Sequence, residues 1–345
     1  MFNNEISQGR RGFFKKTLLG IASLLFLNPR KLFPQSIFSG LLGKNKFAGV
    51  KGRIIVATDL HYSKKNDSQK RFETAKLLLN KSLSELTGVK NIKTAWGKVA
   101  GRDDVVGLKL NCVAAPNLSP SKELVDAIIE GLKLAQVNEN NIIIFDRSNR
   151  ELERGGFKIN SSSSGVRCFG TDALSEPFQN EIETSGSVGS LFSNIISKIC
   201  TVVINVGVLK DHNLSGVCAG MKNFYGVIHN PNKYHDNNCN PYIADLCSHK
   251  YIKDKLRLTV IDSIVCQYNG GPGYNLKWCV DFNSLIVGVD MVAVDRVAHD
   301  IIETERKKYG LPTLREDKRY PAFIDTASKM GLGEGDLNKI KVVRI

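Results

Sequence analysis

The apolar residues of this chain fall in short continuous runs that alternate with stretches of helical spacing. The strand-like runs are RIIVATD (53–59), VVGLKLN (105–111), NIIIFD (141–146), TVVINVGVL (201–209), LRLTVID (256–262), SLIVGVD (284–290) and KVVRI (341–345). They are rich in Val and Ile and show no polar alternation, which is typical of strands buried on both faces of a mainly parallel sheet. Helices are predicted at about 68–86, 120–135 and 291–306. This alternation predicts an α/β fold with a mostly parallel, three-layer, doubly wound-like sheet.

The pattern also divides the chain into segments. Residues 1–28 predict a signal segment, and residues 29–52 predict a linker because Pro and Gly interrupt them repeatedly. Residues 53–345 predict one α/β domain. Within it, residues 149–190 are rich in Ser, Gly and Glu and show little periodicity, so they predict a loop-rich, irregular inserted lobe.

The first 28 residues have the order of parts that export requires. Arg10-Arg11 precedes Phe13-Phe14 and Lys15-Lys16, and an apolar stretch from Leu18 to Leu27 follows. This order resembles a twin-arginine (Tat) export signal, and the apolar stretch is too short for an ordinary spanning helix. A chance basic patch before a buried helix is the alternative. We therefore expect recognition by the Tat machinery and a location in the periplasm or on the envelope side of a bacterial membrane. No small-x-small cleavage site follows cleanly, so an uncleaved segment would act as a membrane tether.

The charge of the chain is concentrated in this N-terminal region. The formal net charge is +14, but residues 1–53 hold ten Lys or Arg and one acid, which supplies +9 and leaves +5 for all other residues. No nucleic-acid-binding motif accompanies the charge, so we expect no nucleic-acid partner. A positive site for an anionic small molecule remains consistent with the balance.

Eight cysteines raise the question of a metal or disulfide framework. The chain has neither a CxxC pair nor the four-cysteine run of a ferredoxin-type cluster. One region mixes thiols with imidazoles: Cys218, Cys239 and Cys247 are interleaved with His212, His229, His235 and His249. That mixture is capable of binding metal, but its spacing matches no zinc template, which favours scattered structural cysteines. The sequence therefore does not identify a cofactor, and a bound metal ion is one hypothesis.

Polar residues follow nearly every predicted strand. They are Asp59, His61, Lys109, Asn111, Asp146, Lys210, His212, Asp262 and Asp290. Ligands of parallel α/β sheets bind beyond the carboxyl ends of the strands, so we expect Lys109, Lys210, His212 and Asp262 to share one cleft at that edge. Buried lysines need partners, and either carboxylates of a structural network or an anionic ligand would serve.

Two further segments are candidates for the same cleft. Lys222-Asn223 and His235 follow the run that ends in Lys210 and His212. The segment Asn269–Gly273, NGGPG, has exposed amides that would cradle an anion at Gly271, although a tight hairpin turn is the favoured interpretation.

These residues carry a resemblance to a known family. The stretch LKDHNLSGVCAGMKNFYG, together with KLN, TVIDSIV, NGGPG and VDMVAVD in that order, resembles the bacterial and archaeal domain-of-unknown-function family 362 over about residues 53–305. The resemblance implies no settled activity. Many members carry a Tat signal, and some carry iron–sulfur modules whose cysteines this chain lacks. The positions that match are Lys109, Asn111, Lys210, His212, Lys222, Asn223, His235, Asp262, Gly271, Pro272 and Asp295.

Two classes of function follow from these observations. The first is an exported enzyme in which Lys210 holds an anionic substrate, His212 transfers a proton and Asp262 orients it. The residues expected to bind the ligand are Lys109, Asn111, Lys222, Asn223 and Gly271. A metal held by His212, His235 and an aspartate is a variant of this hypothesis. The second class is a non-catalytic redox or ligand-carrying protein that is associated with a metal or an iron–sulfur cluster.

Overall fold

The structure, a computed structural model, describes residues 50–345. The predicted signal segment and all but the end of the predicted linker lie outside the described residues. The strands are β1 (Arg53–Thr58), β2 (Val106–Lys109), β3 (Ile142–Phe145), β4 (Arg167–Cys168), β5 (Glu183–Ser185), β6 (Val188–Ser190), β7 (Val202–His212), β8 (Gly216–Cys218), β9 (Leu256–Gln267), β10 (Cys279–Gly288) and β11 (Lys341–Arg344).

Nine of these strands form one sheet. Its order is β11-β1-β10-β9-β7-β2-β3-β4, and β8 pairs with the end of β7. All of them run in one direction except β10 and β8, which pair antiparallel with their neighbours. The mostly parallel α/β sheet predicted from the continuous apolar runs is therefore confirmed.

Helices cover both faces of the sheet. They are α1 (Ser68–Thr87), α2 (Ile92–Val99), α3 (Lys122–Leu134), α4 (Asn149–Arg154), α5 (Tyr242–Cys247), α6 (Lys250–Lys253), α7 (Met291–Lys308) and α8 (Ala322–Lys329). One apolar core lies between the sheet and α1, α2 and α3, and a second lies between the sheet and α7. Ser121 begins α3 as expected, since its hydroxyl accepts a hydrogen bond from the amide of Leu124. None of the helices within residues 50–345 is both long and apolar enough to cross a membrane.

The strand that ends before Asp290 was assigned the wrong direction. β9 and β10 form a hairpin across the NGGPG segment, so β10 runs antiparallel to β9. Asp290 consequently lies at the opposite edge from Asp262, where its carboxylate accepts hydrogen bonds from the amides of Val292 and Ala293 and begins α7. The NGGPG turn is the hairpin that the sequence favoured, but Asp290 was expected at the carboxyl edge because the apolar run before it has the continuous pattern of a parallel strand.

The segment 149–190 is less irregular than expected. It contains α4, the short edge strand β4 and the β5–β6 hairpin. These elements are six residues long at most, which is too short to show a clear apolar period.

Candidate functional site

The carboxyl edge of the sheet is where the predicted site residues lie, but the structure places them in separate groups. Lys109 ends β2, while Lys210 and His212 end β7. Asp262 lies within β9, opposite Val208 of β7. Their contacts define a closed ion network, a cationic cluster and a groove, so the single cleft expected for all four residues does not form.

The closed ion network surrounds Lys109. Its ammonium nitrogen donates to Asp146 Oδ1 at 2.7 Å, to the carbonyl of Leu110 at 2.5 Å and to Asn223 Oδ1 at 3.0 Å. The lysine side chain is 1% exposed and the Asp146 side chain 3%. Asn223 also donates to the Lys109 carbonyl and to Asn205 in the middle of β7. The Lys109 ammonium group thus has three hydrogen-bond acceptors, one of them a carboxylate. For this lysine the structure supports the structural ion network, which was one of the two alternatives predicted for buried lysines.

Asp295 of α7 anchors the next part of the site. Its carboxylate accepts hydrogen bonds from the amides of Gly220 and Met221, at 2.6 Å and 3.1 Å. Those amides open the 3-10 segment Met221–Val227, which carries Lys222 and Asn223. Complete burial raises the pKa of Asp295 to about 7 despite these donors.

The cationic cluster consists of Lys210, His212, Lys222 and His235. The β7–β8 hairpin supplies the first two, and the 3-10 segment supplies Lys222. The His212 and His235 rings stack with centroids 5.8 Å apart. Lys210, His212 and Lys222 are buried, and His235 is partly exposed, so His235 marks the side on which the cluster opens to solvent.

Neither lysine of the cluster has a carboxylate partner within residues 50–345. Lys210 Nζ donates only to Asn111 Oδ1 at 3.4 Å and to the Pro272 carbonyl at 3.3 Å. Lys222 Nζ contacts His235 Nε2 at 3.1 Å and Cys239 Sγ at 3.3 Å, and it lies 4.3 Å from the centre of the Tyr225 ring. Among the described residues, no carboxylate oxygen lies within 4.0 Å of either nitrogen. These contacts are longer than those of Lys109, which makes them poor replacements for water.

The carboxylate of Asp211, which follows Lys210 in the chain, binds other groups. Asp211 accepts from Arg319 at 2.6 Å and from the Gly271 amide at 3.0 Å. The Gly271 amide is therefore not free to cradle an anion, and a Cβ at this position would come 1.9 Å from the Asp211 carbonyl oxygen. Glycine is required there because the hairpin approaches β7 so closely.

His212 is held in one tautomer. Its Nδ1 accepts hydrogen bonds from the amides of Leu214 and Ser215, at 3.2 Å and 3.3 Å, so the proton of the neutral ring lies on Nε2. Burial, with Lys222, His235 and Lys210 nearby, lowers the pKa of His212 to about 2. The described residues offer its Nε2–H no acceptor. His212 is thus a neutral hydrogen-bond donor that faces two buried ammonium groups.

The expected metal site does not form from these histidines. His235 Nδ1 lies 3.1 Å from the Pro231 carbonyl and its Nε2 faces Lys222, so both of its nitrogens are engaged. Within the described part of the chain, no group of three or more His, Cys, Asp or Glu side chains is placed to hold a metal ion. All eight cysteines are free thiols, and seven of them are buried.

Asp262 makes no hydrogen bond with His212 and therefore does not orient it. Its carboxylate accepts from the Ser121 amide at 2.8 Å and the Ser121 hydroxyl at 2.7 Å, where α3 begins. Burial raises its pKa. It lines a groove of about 310 Å³ together with Lys64, Arg71, Ser119 and Glu123. The pairing of Asp262 with His212 fails because Asp262 lies opposite Val208, four residues before His212 in β7, which is about 13 Å along the strand.

Sequence reasoning missed three contributors to the site. Asn205 could have been identified from the sequence, because it lies inside an otherwise apolar strand and a buried polar side chain needs hydrogen-bond partners. Cys239 was considered as a structural cysteine or a metal ligand, and its contact with Lys222 was not expected. Arg319, which binds Asp211 and the His212 carbonyl, lies outside every motif and gave no signal.

The comparisons with known proteins agree with the resemblance described above. The family model "Domain of unknown function (DUF362)" matches residues 106–300, which include all strands of the site from β2 to β10. The chain therefore belongs to the DUF362 family. A search of the curated proteins found no match.

The contrast between Lys109 and Lys210 is testable by substitution with methionine, which has a similar length but no charge. We expect Lys109→Met to lower the free energy of unfolding by about 3–5 kcal/mol, because it leaves the Asp146 carboxylate buried without its partner. Lys210→Met removes an ammonium group that has only long, neutral contacts, so stability should stay the same or rise. Urea unfolding at pH 7 without added anions measures both, and equal losses would contradict the assignment of the two lysines.

Asp295 should make stability depend on pH. Burial raises its pKa in the folded state to about 7 from the ordinary 3.8, so the folded state holds a proton that the unfolded chain releases between these pH values. The stabilisation is complete below about pH 4 and is lost as the pH rises through 7, at up to about 1.4 kcal/mol per pH unit. Asp295→Asn keeps an acceptor oxygen but does not titrate. Unfolding free energies from pH 4 to 8 should therefore fall more steeply for the wild type than for the variant, and parallel curves would refute the shift.

Proposed function

We propose that this protein is an exported enzyme that binds an anionic small molecule at the cationic cluster. One observation carries the proposal: Lys109 is paired with a carboxylate, whereas Lys210 and Lys222 are buried and have no carboxylate partner among the described residues. An uncompensated buried ammonium group is costly, and a bound carboxylate or phosphate would remove that cost.

The donors of the cluster suit an oxyanion. Lys210 and Lys222 supply ammonium groups, and His212 supplies an Nε2–H that has no acceptor among the described residues. Charge-assisted hydrogen bonds from lysine to carboxylate or phosphate oxygens are among the stronger polar contacts. Asn111 contacts Lys210 through its oxygen and Cys218 through its nitrogen, and so limits where the Lys210 side chain can lie.

The lowered pKa values of His212 and Lys222 favour a particular role for each residue in a reaction. With its pKa lowered to about 2, His212 stays neutral and acts as a hydrogen-bond donor that polarises the substrate. Burial also lowers the pKa of Lys222, whose Nζ lies 3.1 Å from His235 Nε2. Lys222 is therefore the group of the cluster best suited to transfer a proton, with His235 as its acceptor, next to the anionic group of the substrate.

Location is the second part of the proposal. The order of Arg10-Arg11, Phe13-Phe14 and the apolar stretch supports export by the Tat machinery to the periplasm or the cell envelope, with the uncleaved segment as a membrane tether.

Anion binding is tested by calorimetry of the full chain with inorganic phosphate at low ionic strength. We expect binding that weakens as salt is added, because the attraction is between charges. Lys210→Met and Lys222→Met should each weaken it roughly tenfold or more, since a hydrogen bond to a charged group contributes about 1.5–3 kcal/mol.

A matched control removes one charge elsewhere. Lys90 is exposed and outside the cluster, so Lys90→Met should bind phosphate as the wild type does. Identical affinities for Lys90→Met and both cluster variants, or no binding of phosphate, sulfate or small carboxylates by the wild type, would refute the anion site.

Export is tested by replacing Arg10 and Arg11 with lysine. The double variant keeps the charge but loses the twin arginine, so we expect the full-length chain to accumulate in the cytoplasm, as seen by cell fractionation. Replacing Lys15 and Lys16 with arginine is the control and should leave export unchanged. Normal export of the Arg10, Arg11 variant would mean that another route is used.

A further inference from the structure

Lys222 makes a second contact that anion binding does not explain. Its Nζ lies 3.3 Å from the Sγ of Cys239 as well as 3.1 Å from His235 Nε2. Cys239 is fully buried and Lys222 is 6% exposed. Of the described cysteines, Cys239 is the one with a lysine nitrogen in hydrogen-bond contact. Peroxides oxidise cysteine through its thiolate, and the Lys222 nitrogen lies where it would contact that thiolate.

The backbone holds Cys239 in this position through an unusual turn. Asn237, Asn238 and Cys239 adopt left-handed φ angles of 47°, 55° and 62°. Asparagine tolerates this region, whereas cysteine rarely adopts it. The turn is held by the Cys239 amide, which donates to the Asp236 carbonyl, and by the Asn238 side chain, which donates to the Lys318 carbonyl. Strained backbone of this kind is concentrated at functional sites.

The turn also brings the thiol close to solvent. Asp236 and Asn237 are exposed, and Asn238 is partly exposed. The Cys239 sulfur itself is buried, so a small oxidant would reach it through movements of this surface turn.

We propose that Lys222 and Cys239 form an oxidative cross-link, in which a hydroperoxide such as hydrogen peroxide drives formation of a covalent Nζ–Sγ bond. This site goes beyond the anion site, because it requires only the contact between the amine and the thiol.

The first step oxidises the sulfur. The Cys239 thiolate attacks one peroxide oxygen, the O–O bond breaks, and the proton held by the Lys222 ammonium passes to the departing oxygen. The products are a sulfenic acid, one water and a neutral Lys222 amine. Sulfur loses two electrons and the peroxide gains them.

The second step joins the two side chains. The neutral amine attacks the sulfenic sulfur, the S–OH bond breaks and the N–S bond forms. His235 Nε2, 3.1 Å from the amine, accepts its proton and returns it to the leaving hydroxide, so a second water is released. The product is a sulfenamide, which thiols reduce back to the amine and the free cysteine. The cross-link removes the charge of Lys222, so peroxide would also switch off the proposed anion site.

Mass spectrometry of the full chain tests the cross-link. The protein is treated with hydrogen peroxide, alkylated and digested. We expect a joined pair of peptides, one with Lys222 and one with Cys239, that is about 2 Da lighter than the two free peptides together and separates with a thiol reductant.

Three variants make the result specific. Cys247 is also buried, but its thiol contacts the Met221 carbonyl, so Cys247→Ser should still form the cross-link. Cys239→Ser should not form it. Lys222→Met should stop at a sulfenic acid on Cys239 that a dimedone reagent traps. The proposal is overturned if peroxide leaves Lys222 of the wild type unmodified while Cys239 becomes a disulfide or sulfinic acid, or if the joined peptides retain an oxygen.

Discussion

The ion pair between Lys109 and Asp146 is the contact on which the geometry of the site depends. It joins the end of β2 to the residue that follows β3, and through Asn223 it fixes the 3-10 segment Met221–Val227 against both strands. Asp295 holds the start of that segment from the opposite side, through α7. Lys222 is the immediate neighbour of Asn223, so its backbone position is set by a network that contains no ligand. The site is thus preorganised by contacts that do not take part in binding.

The buried lysines at this edge of the sheet have two different kinds of environment. Lys109 binds a carboxylate and two further oxygens, whereas the partners that the described residues offer Lys210 and Lys222 are neutral and lie at longer distances. The acids that would neutralise them are held by other donors, as Asp211 is by Arg319. Burial without compensation lowers stability, and such costs persist where binding or catalysis requires them. The neutral His212 contributes to the same site. Its Nε2–H has no acceptor among the described residues, so it adds a hydrogen-bond donor without adding a charge.

The sequence predicted the fold better than it predicted the contacts. Continuous Val- and Ile-rich runs are a strong signal, and all seven became strands of the mostly parallel sheet. Strand ends correctly identified the carboxyl edge for Lys109, Lys210 and His212. The pattern did not give the register between strands, so Asp262 was paired with His212 although it lies opposite Val208 and binds Ser121 beside α3. The NGGPG turn indicated a reversal of the chain, yet Asp290 was expected at the same edge as the other strand ends, and this expectation was wrong. Contacts made by the ends of long side chains, such as Lys222 with Cys239, depend on a turn that only the three-dimensional structure reveals.

The central claim is that an anion completes the cluster of Lys210, His212, Lys222 and His235. Crystals soaked in selenate, a tetrahedral dianion with an anomalous scatterer, test it directly. The account predicts an anomalous peak within hydrogen-bond distance of both lysine nitrogens and of His212 Nε2, with the Lys109–Asp146 pair unchanged. A cluster that stays empty while selenate binds elsewhere, or a peak at Lys109 with its ion pair broken, would contradict it.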